Sequence, residues 1–294
     1  MHRSMEDHFT EYRRDGYTIF KNFMPLDRLQ YIRQTVDAEF RRRHVEHPDR
    51  WIRPDGTTSI RASITNVLTD EKLSEFFKEH LLNPTLLDYA EHVMGPFVQL
   101  MGYEITGYPS RPLDQRKKVD RWHRDAFNYS GVWGRDNDTH HREDRVYTAP
   151  TACNCITYLQ DMNEETGHLR ILADSHLDYA FILDEDVHKP QANERLVELQ
   201  AGDMVYTHNE ILHSGSINTS GEIRYFISAY FQRFGLPHRD TFRHPLVEAI
   251  KDEARALNDR RILRLFGEDD HLEERERGAW AKIIAEDRAA RNEG

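Results

Sequence analysis

Apolar residues recur at helical spacing through most of the first 100 positions of the chain. Met5, Phe9 and Tyr12 follow this spacing and precede Gly16, a residue type that commonly ends helices. A second apolar stripe begins directly after Pro25 and consists of Leu26, Leu29, Ile32, Val36 and Phe40. The pattern predicts two amphipathic helices with a short strand at 17–20 between them. It also predicts a loop at 50–65 and helices at 70–80 and 84–94.

From position 97 the pattern changes to short runs of β-branched and aromatic residues, separated by Gly, Pro, Asn or Asp. These runs predict strands at 97–107, 152–159, 168–172, 196–200, 204–208 and 223–232, with a tight turn at 201–203. Strands follow one another without crossover helices, so a doubly wound parallel sheet fits less well. The expected fold is mainly β with flanking helices, around a double-stranded β-helix core of the jelly-roll or cupin-like kind.

No repeat, low-complexity tract or flexible linker divides the chain, so we expect one domain over residues 1–294. Its helical N-terminal part would cover about 1–95, and the jelly-roll core about 96–235. A charge-dense C-terminal extension at about 245–294 would contain helices at 246–257 and 272–290.

The composition narrows the range of partners and locations. A formal net charge of −11 argues against nucleic acid or an anionic membrane as the main partner. The longest charge-free run, 146–160, is shorter than the about 20 apolar residues that a membrane-spanning helix needs. The N-terminus is charged where a signal peptide needs an apolar stretch, so we expect a cytoplasmic protein. Cys153 and Cys155 are interpreted as reduced core thiols, with metal binding by this pair as the less favoured alternative.

Histidine is frequent, with 17 in the chain, so any candidate site needs support from its context. A His-x-Asp pair on a strand directs both side chains to one face, where they can bind one metal ion. Four such pairs occur: His47/Asp49, His123/Asp125, His176/Asp178 and His238/Asp240. We favour His123 and Asp125, because apolar residues flank them. The other pairs lie in charged or turn-like segments, or after the last strand.

Arg224 lies within the last strongly predicted strand, among aromatic and aliphatic residues. A guanidinium is costly to bury unless an anion pairs with it, and its planar fork fits a carboxylate. The structural alternatives are an edge-strand arginine that reaches water and an ion pair with an internal Asp or Glu. His213 lies eleven residues before Arg224. With His123 and Asp125, these residues indicate a 2-His-1-carboxylate iron site with an organic-acid co-substrate.

The combined pattern resembles the phytanoyl-CoA dioxygenase superfamily of iron(II)- and 2-oxoglutarate-dependent oxygenases, over about residues 15–231. Residues 15–23 are similar to the family's N-terminal strand and the entry to its first long helix, and residues 122–125 to its Trp-His-x-Asp motif. Residues 167–172, with Ser175 and His176, resemble its Gly-Pro-Leu and Pro-Gly-Ser-His segments. Residues 201–203, with Leu212 and His213, resemble its Ala-Gly-Asp and His-Gly-Ser stretch, which continues to Arg224.

The resemblance implies that His123, Asp125 and His213 bind Fe(II), and that 2-oxoglutarate chelates the iron. Its distal carboxylate would bind Arg224, with Ser216 as a candidate second contact. O2 would be the oxidant and ascorbate a supporting reductant, with succinate and CO2 as co-products. The expected reaction is hydroxylation of a C–H bond of a small-molecule metabolite, by a monomer or homodimer. Alternatives are desaturation, cyclisation, epimerisation or endoperoxide formation at the same site, and a non-catalytic binding module.

The sequence departs from the family pattern at two places near the site. Ala173 and Asp174 replace Pro-Gly before Ser175, which predicts an altered loop. Gly215 stands where the family usually has Ser, which is why Ser216 becomes the candidate contact to 2-oxoglutarate. Asp125 keeps the family's carboxylate ligand. Relatives that halogenate carry a non-ligating residue there, so Asp125 favours oxygen insertion.

Overall fold

The computed structural model describes residues 3–45, 61–65, 67–111, 119–125, 147–177, 182–233 and 244–268, and some positions within 278–289. The N-terminal part of the described chain consists of helices and two short strands. In chain order they are α1 (Met5–Asp15), β1 (Tyr17–Phe20), α2 (Leu26–Phe40), β2 (Ala62–Thr65), α3 (Ser74–Leu81) and α4 (Pro84–Met94). A π-helical turn at Arg41–Val45 extends α2, and a 3-10 turn at Val67–Thr69 precedes α3.

Local capping explains where α1 begins and ends. The Ser4 hydroxyl accepts a hydrogen bond from the backbone of Asp7, and the Asp7 carboxylate accepts one from the backbone of Ser4, which forms a capping box. Gly16 ends the helix with φ +80°, a conformation that glycine adopts without strain. A Cβ at Gly16 would lie 2.6 Å from Nδ1 of His176. The predicted stop at Gly16 is therefore confirmed.

Seven further strands and two helices follow within the described residues. The strands are β3 (Val98–Tyr108), β4 (Ala152–Tyr158), β5 (Leu169–Ile171), β6 (Arg195–Val197), β7 (Met204–His208), β8 (His213–Gly215) and β9 (Arg224–Arg233). They are followed by α5 (Pro245–Ala256) and α6 (Arg260–Leu265). One sheet has the order β1-β7-β4-β9-β3-β2 and the other β6-β5-β8, and their pairings are antiparallel.

The six-stranded sheet has two different faces, because successive residues of a strand alternate sides. One face packs against the helices and forms the main hydrophobic core with them. Strand β9 contributes Tyr225, Ile227, Ala229 and Phe231 to this core. The other face packs against the three-stranded sheet through a second apolar cluster, which includes Ile156, Tyr158, Leu169, Ile171, Val197 and Val205. Alternate residues of β3, β4 and β9 therefore face the space between the two sheets, where the candidate site lies.

The predicted mainly β fold with flanking helices is confirmed, and most predicted elements lie within a few residues of their observed bounds. Two short strands were missed: β2 falls in the predicted loop at 50–65, and β8 was not predicted. Both have only three or four residues and depend on pairing with β3 and β5. His123 was expected on a strand but makes an isolated bridge. Cys153 and Cys155 are free and buried in the helix-side core, as predicted.

Two expectations about the whole chain extend beyond these elements. No helix in the part of the chain that the structure describes is long and apolar enough to cross a membrane. The positions of the predicted helix at 272–290 that are described, within 278–289, are helical, and the rest of it lies outside the described residues. The division of one domain into three parts stays a prediction.

Candidate active site

Two segments that are distant in sequence bring the candidate metal ligands together. His123 and His213 form an isolated antiparallel bridge, in which the backbone N–H of each donates to the carbonyl of the other at 3.0 Å. His213 begins β8, which pairs with β5. Asp125 follows His123 by two residues, and one ligand atom of each of the three side chains lies within 4.8 Å of the other two. The structure thus brings the three predicted ligands to one point.

The two imidazoles are oriented for metal binding. Oδ1 of Asp125 lies 3.8 Å from Nε2 of His123 and 3.7 Å from Nε2 of His213. The other ring nitrogens face backbone carbonyls: Nδ1 of His123 lies 2.8 Å from the oxygen of Arg121, and Nδ1 of His213 lies 3.2 Å from that of Ile211. A carbonyl only accepts, so Nδ1 carries the proton and Nε2 keeps a free lone pair. This donor set fits Fe(II).

The electrostatics of the site favour a neutral ligand histidine. Burial lowers the pKa of His123 to about 4, and the neighbouring His213 adds to the shift. The pKa is low even though 47% of the side-chain surface of His123 is exposed. Because a protonated imidazole has no lone pair to give, a low pKa keeps His123 ready for metal at neutral pH.

Asn154 holds the second oxygen of the candidate carboxylate ligand. Its Nδ2 donates to Oδ2 of Asp125 at 3.3 Å, which leaves Oδ1 facing the two histidines. Asn154 is 3% exposed, and its own Oδ1 has no hydrogen-bond partner among the described residues. We did not predict this residue from the sequence. Its position in the sequence could have indicated its role. It lies between Cys153 and Cys155, whose side chains lie on the opposite face of β4, toward the core.

Arg224, at the start of β9, lines the same cavity and is 4% exposed. Its Nη1 donates to three backbone carbonyls: those of Thr166 at 3.1 Å, Gly167 at 3.0 Å and Ser216 at 2.8 Å. Within the described residues no carboxylate makes a direct ion pair with it, and its Nε is buried without a partner. Asp120 is near enough for its charge to interact with that of Arg224, so it is the internal carboxylate on which the alternative of a structural pair would rest. Nε and Nη2 form the edge that remains for an external anion.

The surroundings of Arg224 restrict the guanidinium to one position. The ring of Tyr108 covers it, with 4.5 Å between the guanidinium carbon and the ring centroid. Gly167 has φ +88°, and a Cβ there would lie 2.7 Å from Nη1. A Cβ at Gly215 would lie 3.3 Å from Nη2 of Arg224 and 3.3 Å from Oδ2 of Asp120. Tyr108 was another residue that sequence reasoning missed.

The Ser216 hydroxyl has a hydrogen-bond partner within the protein. Its hydroxyl accepts a hydrogen bond from Nε of Arg170 at 2.7 Å, and its carbonyl accepts from Arg224. Among the described residues that line the cavity, Ser214 and Gly215 are present and Ser216 is not. Direct contact between the Ser216 hydroxyl and 2-oxoglutarate stays a prediction.

The loop after β5 contains Ala173 and Asp174, the two residues that replace the family's Pro-Gly. Asp174 occupies the family's Gly position and has φ +62°, which Asp tolerates better than most residues. The next residue, Ser175, accepts a hydrogen bond at its hydroxyl from the backbone of Leu212 at 2.8 Å. The loop thereby anchors the residue that precedes His213.

The competing His-x-Asp pairs can be placed only in part. His176 is buried and packs beside His208, and its Nε2 lies 3.0 Å from the carbonyl oxygen of Arg13. Its partner Asp178 lies outside the described residues, as do both residues of the pairs at 47/49 and 238/240. In the described part of the chain, His123, Asp125 and His213 are the group of three that could hold a metal ion.

The cavity between the sheets has about 570 Å³ of space, part of which is open to solvent. Beyond the candidate ligands and Arg224, polar side chains contribute much of its lining. They are Arg61, Glu104, Thr106, Tyr108, Asn154, Tyr158, His168, Ser214 and Tyr230. The apolar part is smaller and consists of Ile156, Met162, Leu169 and Phe226.

Comparison with known proteins identifies the family. The sequence model of phytanoyl-CoA dioxygenase matches residues 12–226, so the chain belongs to the phytanoyl-CoA dioxygenase family, and the predicted resemblance is confirmed. A search of curated proteins found no significant match.

Solved structures show the same fold at low sequence identity. The non-heme alpha-ketoglutarate-dependent epimerase SnoN from nogalamycin biosynthesis is 21% identical, with a TM-score of 0.52 over 78% of this chain and 80% of that one. HygX from Streptomyces hygroscopicus, with nickel, 2-oxoglutarate and hygromycin B bound, is 11% identical, with a TM-score of 0.56 over 79% and 88% of the two chains.

Proposed function

We propose that this protein is an Fe(II)- and 2-oxoglutarate-dependent dioxygenase that oxidises a C–H bond of a polar small molecule, with succinate and CO2 as co-products. One observation carries the proposal. A two-histidine, one-carboxylate set and a buried arginine, whose Nε has no partner among the described residues, line the same cavity. The first suits iron, and the second suits the carboxylate of an organic acid that also reaches the iron.

The residues around the iron would have distinct tasks. His123, Asp125 and His213 would hold the ion through Nε2, Oδ1 and Nε2, which leaves other positions for 2-oxoglutarate and O2. Bound iron supplies the redox chemistry that activates O2. Asn154 keeps Oδ2 of Asp125 turned away, and the carbonyls of residues 121 and 211 keep the imidazoles in the ligating tautomer. The presence of Asp125 supports oxygen insertion over halogenation.

Arg224 would bind the distal carboxylate of 2-oxoglutarate. With Nη1 held by three carbonyls, Nε and Nη2 offer two parallel donors. The ring of Tyr108 covers one face of the guanidinium and excludes water from it, which strengthens the pairing with an anion. Ser216 stays the candidate for a second contact to this carboxylate.

The polar lining supports a substrate with hydrogen-bonding groups rather than a long acyl chain. Glu104 and Thr106 of β3 face the cavity beside Arg61 and Tyr230, and all four can exchange hydrogen bonds with a ligand. The structural relatives agree in kind: SnoN has been crystallised with nogalamycin RO and HygX with hygromycin B. We also propose that the two packed sheets are the two halves of a jelly roll.

Epimerisation is the second candidate, because one structural relative is an epimerase. The two reactions share the iron site and differ in product. A hydroxylase adds one oxygen atom to its substrate, whereas an epimerase returns an isomer of unchanged mass. Mass spectrometry of the product after turnover separates them.

The proposal is tested first without substrate. Anaerobic addition of Fe(II) and then 2-oxoglutarate should produce a weak visible charge-transfer band, since a 2-oxo acid would chelate the iron. In air, polar metabolites should then be screened for stimulated succinate release. An iron-loaded protein that gives neither band nor succinate would contradict the cofactor assignment. A band without stimulated succinate from any candidate, in a protein with intact ligands, would favour the non-catalytic binding module.

A further inference from the structure

A largely buried ion pair lies behind the candidate co-substrate arginine. Arg170 of β5 pairs through Nη1 with Oε1 of Glu194, and the side chains of the two residues are only 14% and 11% exposed. Such a pair is a poor source of net stability, because desolvating both charges offsets most of their attraction. Its position therefore suggests a different role.

The pair is connected to Arg224 through one serine. Nε of Arg170 donates to the Ser216 hydroxyl at 2.7 Å, and the backbone N–H of Ser216 donates to the carbonyl of His168 at 2.8 Å. With its side chain and its amide both held, Ser216 presents its carbonyl to Nη1 of Arg224 at 2.8 Å. A continuous path of polar contacts thus joins Glu194 to Arg224.

The other contacts of Arg224 leave little room for the guanidinium to move. The carbonyls of Thr166 and Gly167 also accept from Nη1, at 3.1 and 3.0 Å. Gly167 approaches so closely that a Cβ there would lie 2.6 Å from the Ser216 carbonyl oxygen. A displaced Ser216 carbonyl would therefore shift Nη1, and with it the direction of the edge formed by Nε and Nη2.

We propose that Glu194, Arg170 and Ser216 are positioning residues for Arg224. Glu194 neutralises and orients Arg170, Arg170 anchors the Ser216 side chain, and the Ser216 carbonyl fixes Nη1. The Nε–Nη2 edge is thereby directed at the distal carboxylate of 2-oxoglutarate. This inference rests on the proposed function, and it gives Ser216 an indirect role through its backbone.

The test compares two ligands that differ only at the distal end. The full-length, Fe(II)-loaded protein is titrated anaerobically with 2-oxoglutarate and with 2-oxopentanoate, which keeps the chelating 2-oxo acid but lacks the distal carboxylate. Arg170→Met and Ser216→Ala should each raise the Kd for 2-oxoglutarate about tenfold, the scale expected for a charge-assisted contact that is partly lost. The Kd for 2-oxopentanoate and the affinity for iron should stay unchanged. Arg170→Met/Ser216→Ala should be no worse than either single variant, because both break one path.

The controls separate positioning from stability and from direct contact. Lys251→Met removes another buried cation. Lys251 lies on α5 and pairs with Glu248 of the same helix and with Glu268, which follows α6. The substitution should lower Tm without changing either Kd. Glu194→Gln keeps the shape of the pair and serves if Arg170→Met does not fold.

The possible failures are distinguishable. A wild-type protein that binds neither ligand overturns the proposed function itself. If the wild type binds 2-oxoglutarate and Ser216→Ala weakens it while Arg170→Met and Glu194→Gln do not, Ser216 contacts the ligand directly and the positioning role is wrong. If the Arg170, Glu194 and Ser216 variants change only Tm, the ion pair is purely structural, which also overturns the inference.

Discussion

The two faces of the six-stranded sheet carry different properties on neighbouring residues. On β9, Ile227 is fully buried in the helix-side core, and Ser228 beside it lies toward the other sheet, with a buried hydroxyl that has no hydrogen-bond partner among the described residues. On β4, Cys153 and Cys155 pack in the core, and Asn154 between them holds a candidate metal ligand. The face toward the helices contributes mainly apolar side chains to the core, while the face toward the smaller sheet places polar side chains such as Asn154 beside the cavity.

The largest expected effect is on the cavity face, at the metal. Asp125→Ala removes one of the three candidate ligands. Loss of a residue that only hydrogen-bonds to a ligand typically lowers metal affinity about 10–100-fold, so we expect a larger fall in iron affinity here. Substrate oxidation should be lost, while Tm of the metal-free protein changes little. Isothermal titration with Fe(II) under anaerobic conditions measures this, with Asp240→Ala from a competing pair as control. Normal activity of Asp125→Ala, with Asp240→Ala inactive, would mean that we chose the wrong pair.

The reciprocal test is on the helix-facing side. Ile227→Ala should lower the free energy of unfolding by about 2–5 kcal/mol, because it leaves a cavity in a closed core. Ser228→Ala, one residue away, should leave stability unchanged or raise it, since it removes a buried hydroxyl for which the described part of the chain offers no partner. Urea denaturation of both metal-free variants checks the pair. Equal losses from both substitutions would end the distinction between the two faces.

Arg224 tests whether a buried charge on the cavity face serves a ligand or the fold. Arg224→Ala should raise the KM for 2-oxoglutarate by roughly 30-fold, which is about 2 kcal/mol, as expected for one partner of a buried charge pair. Arg224→Lys should fall between, since lysine keeps the charge and loses the planar fork. Tm without 2-oxoglutarate should hold.

Tyr225→Phe provides the matched control on the opposite face. Tyr225 donates through its hydroxyl to Oδ1 of Asp37 at 2.7 Å, so its loss should lower Tm slightly and leave KM unchanged. A large stability loss from Arg224→Ala with normal dependence on 2-oxoglutarate would make Arg224 a structural residue.

A smaller effect is expected for the residue that orients Asp125. Asn154→Ala should weaken iron binding about tenfold. This is the low end of the range for residues that hydrogen-bond to a metal ligand, because the contact between Asn154 and Asp125 is long, at 3.3 Å. Cys155→Ala, on the other face of the same strand, should leave iron affinity unchanged. Competition with a chelator of known affinity measures both variants. Identical iron affinity in Asn154→Ala and wild type would remove Asn154 from the site.

A further effect is a pH dependence that originates on the helix-facing side. Burial between α3 and the sheet lowers the pKa of His80 to about 3, where its ring contacts Tyr103 and Thr157. As pH falls below about 6.5, the unfolded chain takes up a proton that the folded protein does not accept until about pH 3. The free energy of unfolding should therefore fall with acidification, by up to about 1.4 kcal/mol per pH unit from this group. His80→Gln should flatten the slope in urea titrations between pH 7 and 5, and an unchanged slope would contradict this origin.

The sequence was informative where structure is local and less so where it depends on distant pairing. The apolar spacing and the stop at Gly16 mark α1, and a long apolar run marks β9, so both were predicted well. His123, Asp125 and His213 were chosen as candidate ligands because they belong to a recognisable motif, and the structure brings them together. Asn154 and Tyr108 were missed because their roles arise from contacts with residues that are distant in sequence.

The bridge between His123 and His213 has a consequence for the stability of the whole protein. Two backbone hydrogen bonds join segments that lie ninety residues apart, and the same two residues would hold the metal. A bound ion would therefore act as a cross-link that exists only in the folded state. By mass action, metal at 100 times its dissociation constant would add about 2.7 kcal/mol to the free energy of unfolding. The availability of iron would then set how much folded protein survives, and not only how much of it is active.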